Sequence, residues 1–136
     1  MKLNNSIFQI SQLSKESIRF IKVTDKKIKK DIIKNSIENL LEGKTILILI
    51  GNDYIETIRN DISLFEYSAG IITERILNEC KKNNIDYSIS LAFNEKNIRE
   101  IIKLPMFMKI VSLISINSDV DIQQNFVYEN IWQPRD

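Results

Sequence analysis

The segment from Lys44 to Ile50 is the sequence feature that most restricts the fold. It is a short, continuous apolar run rich in isoleucine, bounded by Gly43 and Gly51. Runs of this length without polar alternation are typical of strands buried on both faces of a sheet. The segment therefore predicts the central strand of a sheet whose faces are covered by helices.

Helices are predicted on either side of this strand. Over residues 25–43 apolar side chains recur three to five positions apart, and Gly43 provides a C-terminal stop. Over residues 52–82 apolar residues repeat at alternating steps of three and four, with a division into two helices at residues 60–61 as an alternative. Gly70 inside this second region indicates close packing against the sheet, or a helix-to-helix dimer contact as the alternative.

Two further strands complete the centre of the chain. Apolar and polar residues alternate over Ile85–Phe93, which is the clearest period-two pattern in the sequence. Asn94 can cap a short helix that ends near Pro105, and Phe107–Ile116 is another apolar run. A strand, helix, strand, helix, strand order with short connections predicts parallel strands and right-handed crossovers.

The two ends of the chain add shorter strands. Ser6–Leu13 and Ser17–Val23 are extended runs that predict a β-hairpin, with a short helix capped by Ser14 as the alternative. Val120–Tyr128 predicts a final antiparallel strand. We therefore expect a single mixed α/β domain over residues 1–136, with a central βαβαβ unit and the element order ββαβαβαββ.

The residues that the sequence lacks exclude most familiar catalytic centres. It contains no histidine and one cysteine, Cys80. Catalytic triads, CxxC chemistry and nearly all zinc sites are therefore excluded, and Cys80 is expected to be an inert core residue. The three glycines form neither a GxGxxG nor a GxxxxGK[ST] loop. The sequence thus predicts no catalytic residue and no cofactor.

Composition also indicates a cellular location. No apolar run approaches the length of a membrane span, and residues 1–25 lack the apolar core of a signal peptide. A single cysteine suits a reducing compartment, so we expect a cytoplasmic protein. The net charge of +1 predicts no strong general attraction to nucleic acid.

Carboxylates near the ends of the central strands support one enzymatic hypothesis. If those strands are parallel, their carboxyl ends share one end of the sheet, where carboxylates could hold Mg²⁺ or Mn²⁺ for phosphoryl transfer. The simpler interpretation is that these residues form turns and cap helices. The carboxylates concerned are Asp53, Glu95, Asp119 and Asp121.

The helix predicted over residues 25–43 carries an unusual distribution of charge. Lysines occupy its first turns, whereas Glu38 and Glu42 lie toward its C-terminus, and both placements oppose the helix dipole. A binding surface for an acidic protein or for phosphates would explain this arrangement, and a solvated face is the alternative. The lysines are Lys26, Lys27, Lys29 and Lys30, followed by Lys34.

Aromatic residues are concentrated near the C-terminal end of the sequence. Tyr128 and Trp132 either pack back on the domain or anchor a partner, because tyrosine and tryptophan dominate binding hot spots.

We therefore predict a non-catalytic protein-binding module of a bacterial cytoplasm. Its partner would be another protein, such as a toxin or enzyme that it inhibits, and it would act as an inhibitor, immunity protein or adaptor. The partner-binding residues would be the first four lysines together with Tyr128 and Trp132, and a homodimer is an additional alternative. The alternatives are a metal-dependent phosphoryl-transfer or nuclease-like enzyme and a nucleic-acid-binding protein that uses the lysine-rich helix.

Overall fold

A computed structural model describes residues 1–8, 18–52, 58–59 and 62–134. The mixed α/β class expected from the sequence is confirmed. The helices are α1 (Lys26–Lys34), α2 (Leu64–Lys82) and α3 (Glu95–Ile101). The strands are β1 (Lys2–Leu3), β2 (Ile18–Val23), β3 (Thr45–Gly51), β4 (Ile58–Arg59), β5 (Ile62–Ser63), β6 (Tyr87–Ser90), β7 (Lys109–Ile116), β8 (Asp121–Ile122) and β9 (Val127–Glu129).

A five-stranded mixed sheet forms the centre of the molecule, in the order β6-β7-β3-β2-β9. The apolar run that predicts the central strand becomes β3, and each of its residues is buried. It pairs antiparallel with both β2 and β7, while β9 pairs parallel with β2. Outside this sheet β1 pairs parallel with β8, and β4 pairs antiparallel with β5.

The directions of the central strands differ from the prediction of three neighbouring parallel strands. β7 lies between β3 and β6 and runs antiparallel to both, so β3 and β6 are parallel to each other without being neighbours. The chain leaves the sheet at the end of β6, and α3 with the loop after it brings the chain back to that same end. β7 therefore starts where β6 finishes and runs in the opposite direction. β3 and β6 therefore finish at one end, here named the β3–β6 end, and β7 finishes at the opposite end.

Helices cover both faces of the sheet, as the burial of β3 requires. Side chains alternate along this strand, so that Leu47 and Leu49 join a core beneath α2 that also contains Phe65. Ile46 and Ile48 point to the other face and join a second core that includes residues of α1 and α3. Cys80 is fully buried in the first core. Burial raises the pKa of its thiol, with a smaller contribution from Glu79, and so disfavours the reactive thiolate.

The first helix is shorter than predicted. α1 begins after Asp25, whose side chain accepts a hydrogen bond from the Ile28 amide at 3.0 Å, and it ends at Lys34. Residues 35–43, here named the strap, continue without helical structure across β6 and β7. Gly43 is therefore not a helix stop. A Cβ atom there would lie 2.7 Å from the Ile116 carbonyl oxygen, so the position accommodates close backbone contact.

The second helix also differs from the prediction. α2 begins at Leu64, because the strands β4 and β5 precede it, whereas the predicted division at residues 60–61 lies outside the described residues. Close packing does not explain Gly70, since it is exposed and a Cβ atom there would have nothing within 4 Å.

Both ends of the chain depart from the predicted strands. The N-terminal hairpin is wrong, because Asn5–Phe8 form a 3-10 turn and β2 pairs with β3 and β9 instead. Residues 9–17, including Ser14, lie outside the described residues. The predicted antiparallel strand over Val120–Tyr128 is divided into β8, a 3-10 turn and the parallel strand β9. Among the described helices, none has the length and apolar character needed to cross a membrane.

Candidate functional site

The predicted carboxylate cluster does not form among the described residues. Glu95 lies near the β3–β6 end and pairs with Arg99 at 3.0 Å. Asp119 and Asp121 follow β7 and therefore lie at the opposite end of the sheet. Asp53 lies outside the described residues, within which no three His, Cys, Asp or Glu side chains could share a metal ion. The antiparallel direction of β7 thus separates Asp119 and Asp121 from Glu95.

The lysines of α1 have separate surroundings. The Lys29 ammonium donates to the carbonyl oxygens of Gly43 and Lys44 at 3.0 and 3.1 Å, so this residue fastens the end of the strap to the helix. Lys27 lies 3.8 Å from Asp31, and both Lys26 and Lys30 are exposed. Lys29 therefore has a structural role, and the other three lysines form a solvated face.

The aromatic residues near the C-terminal end pack back on the domain. The Trp132 amide donates to the Ile102 carbonyl at 2.8 Å, and both Tyr128 and Trp132 are half-buried against the second core. The Trp132 ring centroid lies 6.1 Å from that of Tyr128 and 6.3 Å from that of Phe107. Tyr128 and Trp132 therefore pack on the domain, which is the first of the two alternatives, and their contacts identify no partner.

The strap forms a site that the sequence did not reveal. At the β3–β6 end, the Glu38 carboxylate accepts hydrogen bonds from two successive backbone amides, Leu91 at 2.8 Å and Ala92 at 3.1 Å. These two N–H groups, here named the amide pair, follow the last residue of β6. Ile37 and Leu91 beside them are 78% and 66% exposed, so this polar pair is flanked by apolar side chains in contact with solvent.

Serine side chains of the sheet hold the rest of the strap. The Ser36 hydroxyl donates to that of Ser90 at 2.7 Å, and the Ser88 hydroxyl accepts from the Leu41 amide at 2.9 Å. On β7, the Ser115 hydroxyl donates to the Leu41 carbonyl at 2.7 Å. An irregular segment lying on a sheet needs such partners for its backbone groups. The alternating serines of β6 are the available sequence signal, but the apolar spacing over residues 25–43 predicts a helix there instead of the strap.

The amide pair has the chemistry of an acceptor-binding site. Two adjacent N–H groups directed at one oxygen stabilise negative charge or a polar acceptor atom without rearrangement. Glu38 itself is exposed, so this carboxylate is in contact with solvent as well as with the amide pair. The arrangement suits a ligand that presents an acceptor atom beside apolar surface.

Structural comparison shows that the chain has a nitroreductase-like fold. A nitroreductase family protein from Clostridium novyi NT matches with a TM-score of 0.79 and 20% identity, over 93% of this chain and 77% of that one. A nitroreductase family protein from Clostridium difficile 630 matches with a TM-score of 0.70 and 14% identity, over 88% of this chain and 74% of that one. An FMN-dependent nitroreductase from Clostridium difficile R20291 matches with a TM-score of 0.62 and 14% identity, over 92% of this chain and 84% of that one. No family model and no curated protein matches the sequence.

This comparison overturns the function predicted from the sequence. The prediction of a non-catalytic inhibitor, immunity protein or adaptor is wrong, because the solved structures that share this fold are nitroreductase-family proteins. The predicted protein partner is wrong for the same reason. Missing histidines and nucleotide loops had excluded only the enzyme classes that depend on them.

Proposed function

We propose that the chain is an FMN-dependent oxidoreductase that acts on small molecules. The observation that carries the proposal is the extent of the fold match, which includes 93% of this chain at a TM-score of 0.79. One matching structure is an FMN-dependent nitroreductase. The amide pair and its apolar surroundings supply an independent reason to place the ligand at the β3–β6 end.

The described residues fit the ring system of a flavin. An isoalloxazine ring is flat and largely apolar, and it carries hydrogen-bond acceptors along one edge. The amides of Leu91 and Ala92 provide two adjacent donors for such acceptors, and the exposed side chains of Ile37 and Leu91 provide apolar contact. These residues would hold the ring after Glu38 moves away.

The described residues provide less for the phosphate of FMN. The Arg75 and Arg99 guanidinium groups already donate to backbone carbonyls, and that of Arg19 donates to the Ile18 carbonyl. Lys22 pairs with Glu129 at 3.3 Å. We assign the phosphate to no particular residue and place most of the binding energy on the ring.

Bound FMN would supply two-electron transfer between a reduced nicotinamide and an organic acceptor. The amide pair would stabilise the negative charge that develops on a reduced ring, because backbone dipoles fixed in place need no rearrangement. The sheet residues beneath, including Ser90, hold these amides rigidly through the strap contacts. A single buried cysteine also suits a cytoplasmic location, which we include in the proposal.

The proposal is tested by adding FMN to the purified protein. We expect quenching of flavin fluorescence on binding, and oxidation of NADH or NADPH when a nitroaromatic acceptor is present. Riboflavin is expected to bind nearly as well as FMN, since the ring contributes most. Absence of flavin binding by calorimetry and fluorescence, with the protein folded by circular dichroism, would contradict the proposed function.

Replacing Glu38 with alanine is expected to strengthen FMN binding and to weaken the fold. The change removes the carboxylate that competes for the amide pair, and charge-assisted hydrogen bonds of this kind correspond to roughly a tenfold change in affinity. The same loss should lower Tm by about 3–6 °C, because two amides lose their partner. Fluorescence titration and thermal denaturation measure the two effects.

Two variants separate this interpretation from a general effect of charge. Glu38→Gln keeps an oxygen that accepts from the amide pair but loses the charge, so its FMN affinity should lie between those of the unmodified protein and the Glu38→Ala variant. Glu74→Ala removes an exposed carboxylate from α2, which covers the opposite face of the sheet from α1 and α3. This variant should change neither the FMN affinity nor the Tm. Weaker FMN binding by the Glu38→Ala variant would place the flavin elsewhere.

A further inference from the structure

The C-terminal end of α3 contains a strained lysine. Lys103 has a φ of 57°, in the left-handed region that glycine normally occupies after a helix. Its amide donates to the Glu100 carbonyl at 3.4 Å, and the Leu104 amide donates to the Arg99 carbonyl at 3.0 Å. This is the hydrogen-bond pattern of a Schellman motif, in which a glycine would be less strained. Other described non-glycine residues with positive φ are asparagines, which adopt this conformation more readily.

Lys103 borders an apolar groove with a volume of about 780 Å³, formed by α3 and the loop that follows. Leu104 is buried at its base, whereas Met106 is 87% exposed along its side. Arg99 fixes the loop against the helix, because its guanidinium donates to the carbonyls of Pro105 and Met108 at 2.9 and 2.8 Å. Directional contacts therefore fix the position of the loop that borders the groove.

The charges at the groove favour an anion. Glu95 is paired with Arg99 at 3.0 Å, so these two side chains neutralise each other. The remaining charged side chains are two exposed ammonium groups, Lys96 and Lys103, and one carboxylate, Glu100. Neither ammonium has a hydrogen-bond or ion-pair partner among the described residues.

We propose that this groove binds a small aromatic anion, such as an aryl carboxylate. The aromatic ring would contact Leu104 and the thioether of Met106, since methionine sulfur packs favourably against aromatic rings. The carboxylate would pair with Lys103, and this contact explains why a lysine stands where glycine would be less strained. This second site is independent of flavin binding and does not rest on the proposed function.

The test is a titration of the ¹⁵N-labelled full chain with 2-naphthoate, without flavin, followed by amide chemical shifts. Shifts are expected to concentrate on residues 95–106. The Lys103→Gly variant should bind about fivefold to tenfold more weakly, while Lys103→Arg restores binding. The glycine variant should also have a Tm raised by about 2–5 °C, because the left-handed strain is relieved. A matched amine, 2-naphthylmethylammonium, should bind much more weakly than the carboxylate.

Control variants separate charge from backbone strain. Asn84→Gly relieves a left-handed residue with a φ of 55° elsewhere, and Lys81→Ala removes an exposed ammonium from α2. Neither should change the affinity for 2-naphthoate. Equal binding of the amine, unchanged affinity in Lys103→Gly, shifts centred on another surface, or no saturable binding would each overturn the proposal.

Discussion

Replacing Gly43 with alanine is expected to destabilise the protein by about 2–4 kcal/mol. The new Cβ atom would lie 2.7 and 2.8 Å from the carbonyl oxygen and carbon of Ile116, and 2.9 Å from the Ser115 hydroxyl. Two of these atoms are backbone atoms of β7, so they cannot rotate away as a side chain would. Relief requires the strap or β7 to move, which strains the 3.2 Å hydrogen bond between the Gly43 amide and Ser115.

Urea denaturation of the Gly43→Ala variant measures this cost, with Gly70→Ala as the matched control. The same substitution at Gly70 should stabilise the protein by about 0.5–1 kcal/mol, because this residue is exposed in a helix and has free space around it. The two variants should therefore move the urea midpoint in opposite directions. A neutral Gly43→Ala variant would mean that the strap does not approach β7 this closely.

Replacing Phe65 with alanine is expected to cost about 3–5 kcal/mol of folding free energy. Phe65 lies in the first turns of α2, is 0% exposed and belongs to the core between this helix and the sheet. Removing its ring leaves a cavity that neighbouring β-strands cannot fill without distortion. A loss of this size is a large part of the total stability of a small domain, so the variant should unfold at a much lower urea concentration.

Phe107→Ala provides the comparison for this second experiment. Phe107 is 49% exposed and contacts Trp132 edge-on, so its removal should cost less than about 1.5 kcal/mol. Equilibrium unfolding followed by circular dichroism distinguishes the two phenylalanines. A similar, small effect from both would indicate that α2 does not pack on the sheet through Phe65.

The sequence predicted those elements whose signal is local. The continuous apolar residues of β3 indicate burial on both faces, and Asn94 caps α3 through a hydrogen bond to the Asn97 amide at 3.1 Å. That residues 1–136 form one domain stays a prediction. The direction of β7 has no local sequence signal, because it depends on which end of the sheet the segment after α3 brings the chain back to.

The candidate site was missed because it depends on tertiary contacts. Isoleucine at position 37 continues a helical pattern, yet its side chain is 78% exposed, since the strap leaves the helix at Asn35. The hydrogen bonds of Glu38 to residues 91 and 92 join segments far apart in sequence. A periodicity argument compares each residue only with near neighbours, so it cannot identify such a contact.

The pairing of strands from distant parts of the sequence also restricts the order of folding. Lys2 is paired with Asp121, and Phe20 with Val127. During synthesis β2 can join β3 early, but its other side has no partner until β9 has left the ribosome. Strand pairs of such large sequence separation form slowly, and unpaired strands attract other chains. The free edge of β2 therefore stays open until residues 127–129 have been synthesised, and it can pair with other chains during that interval.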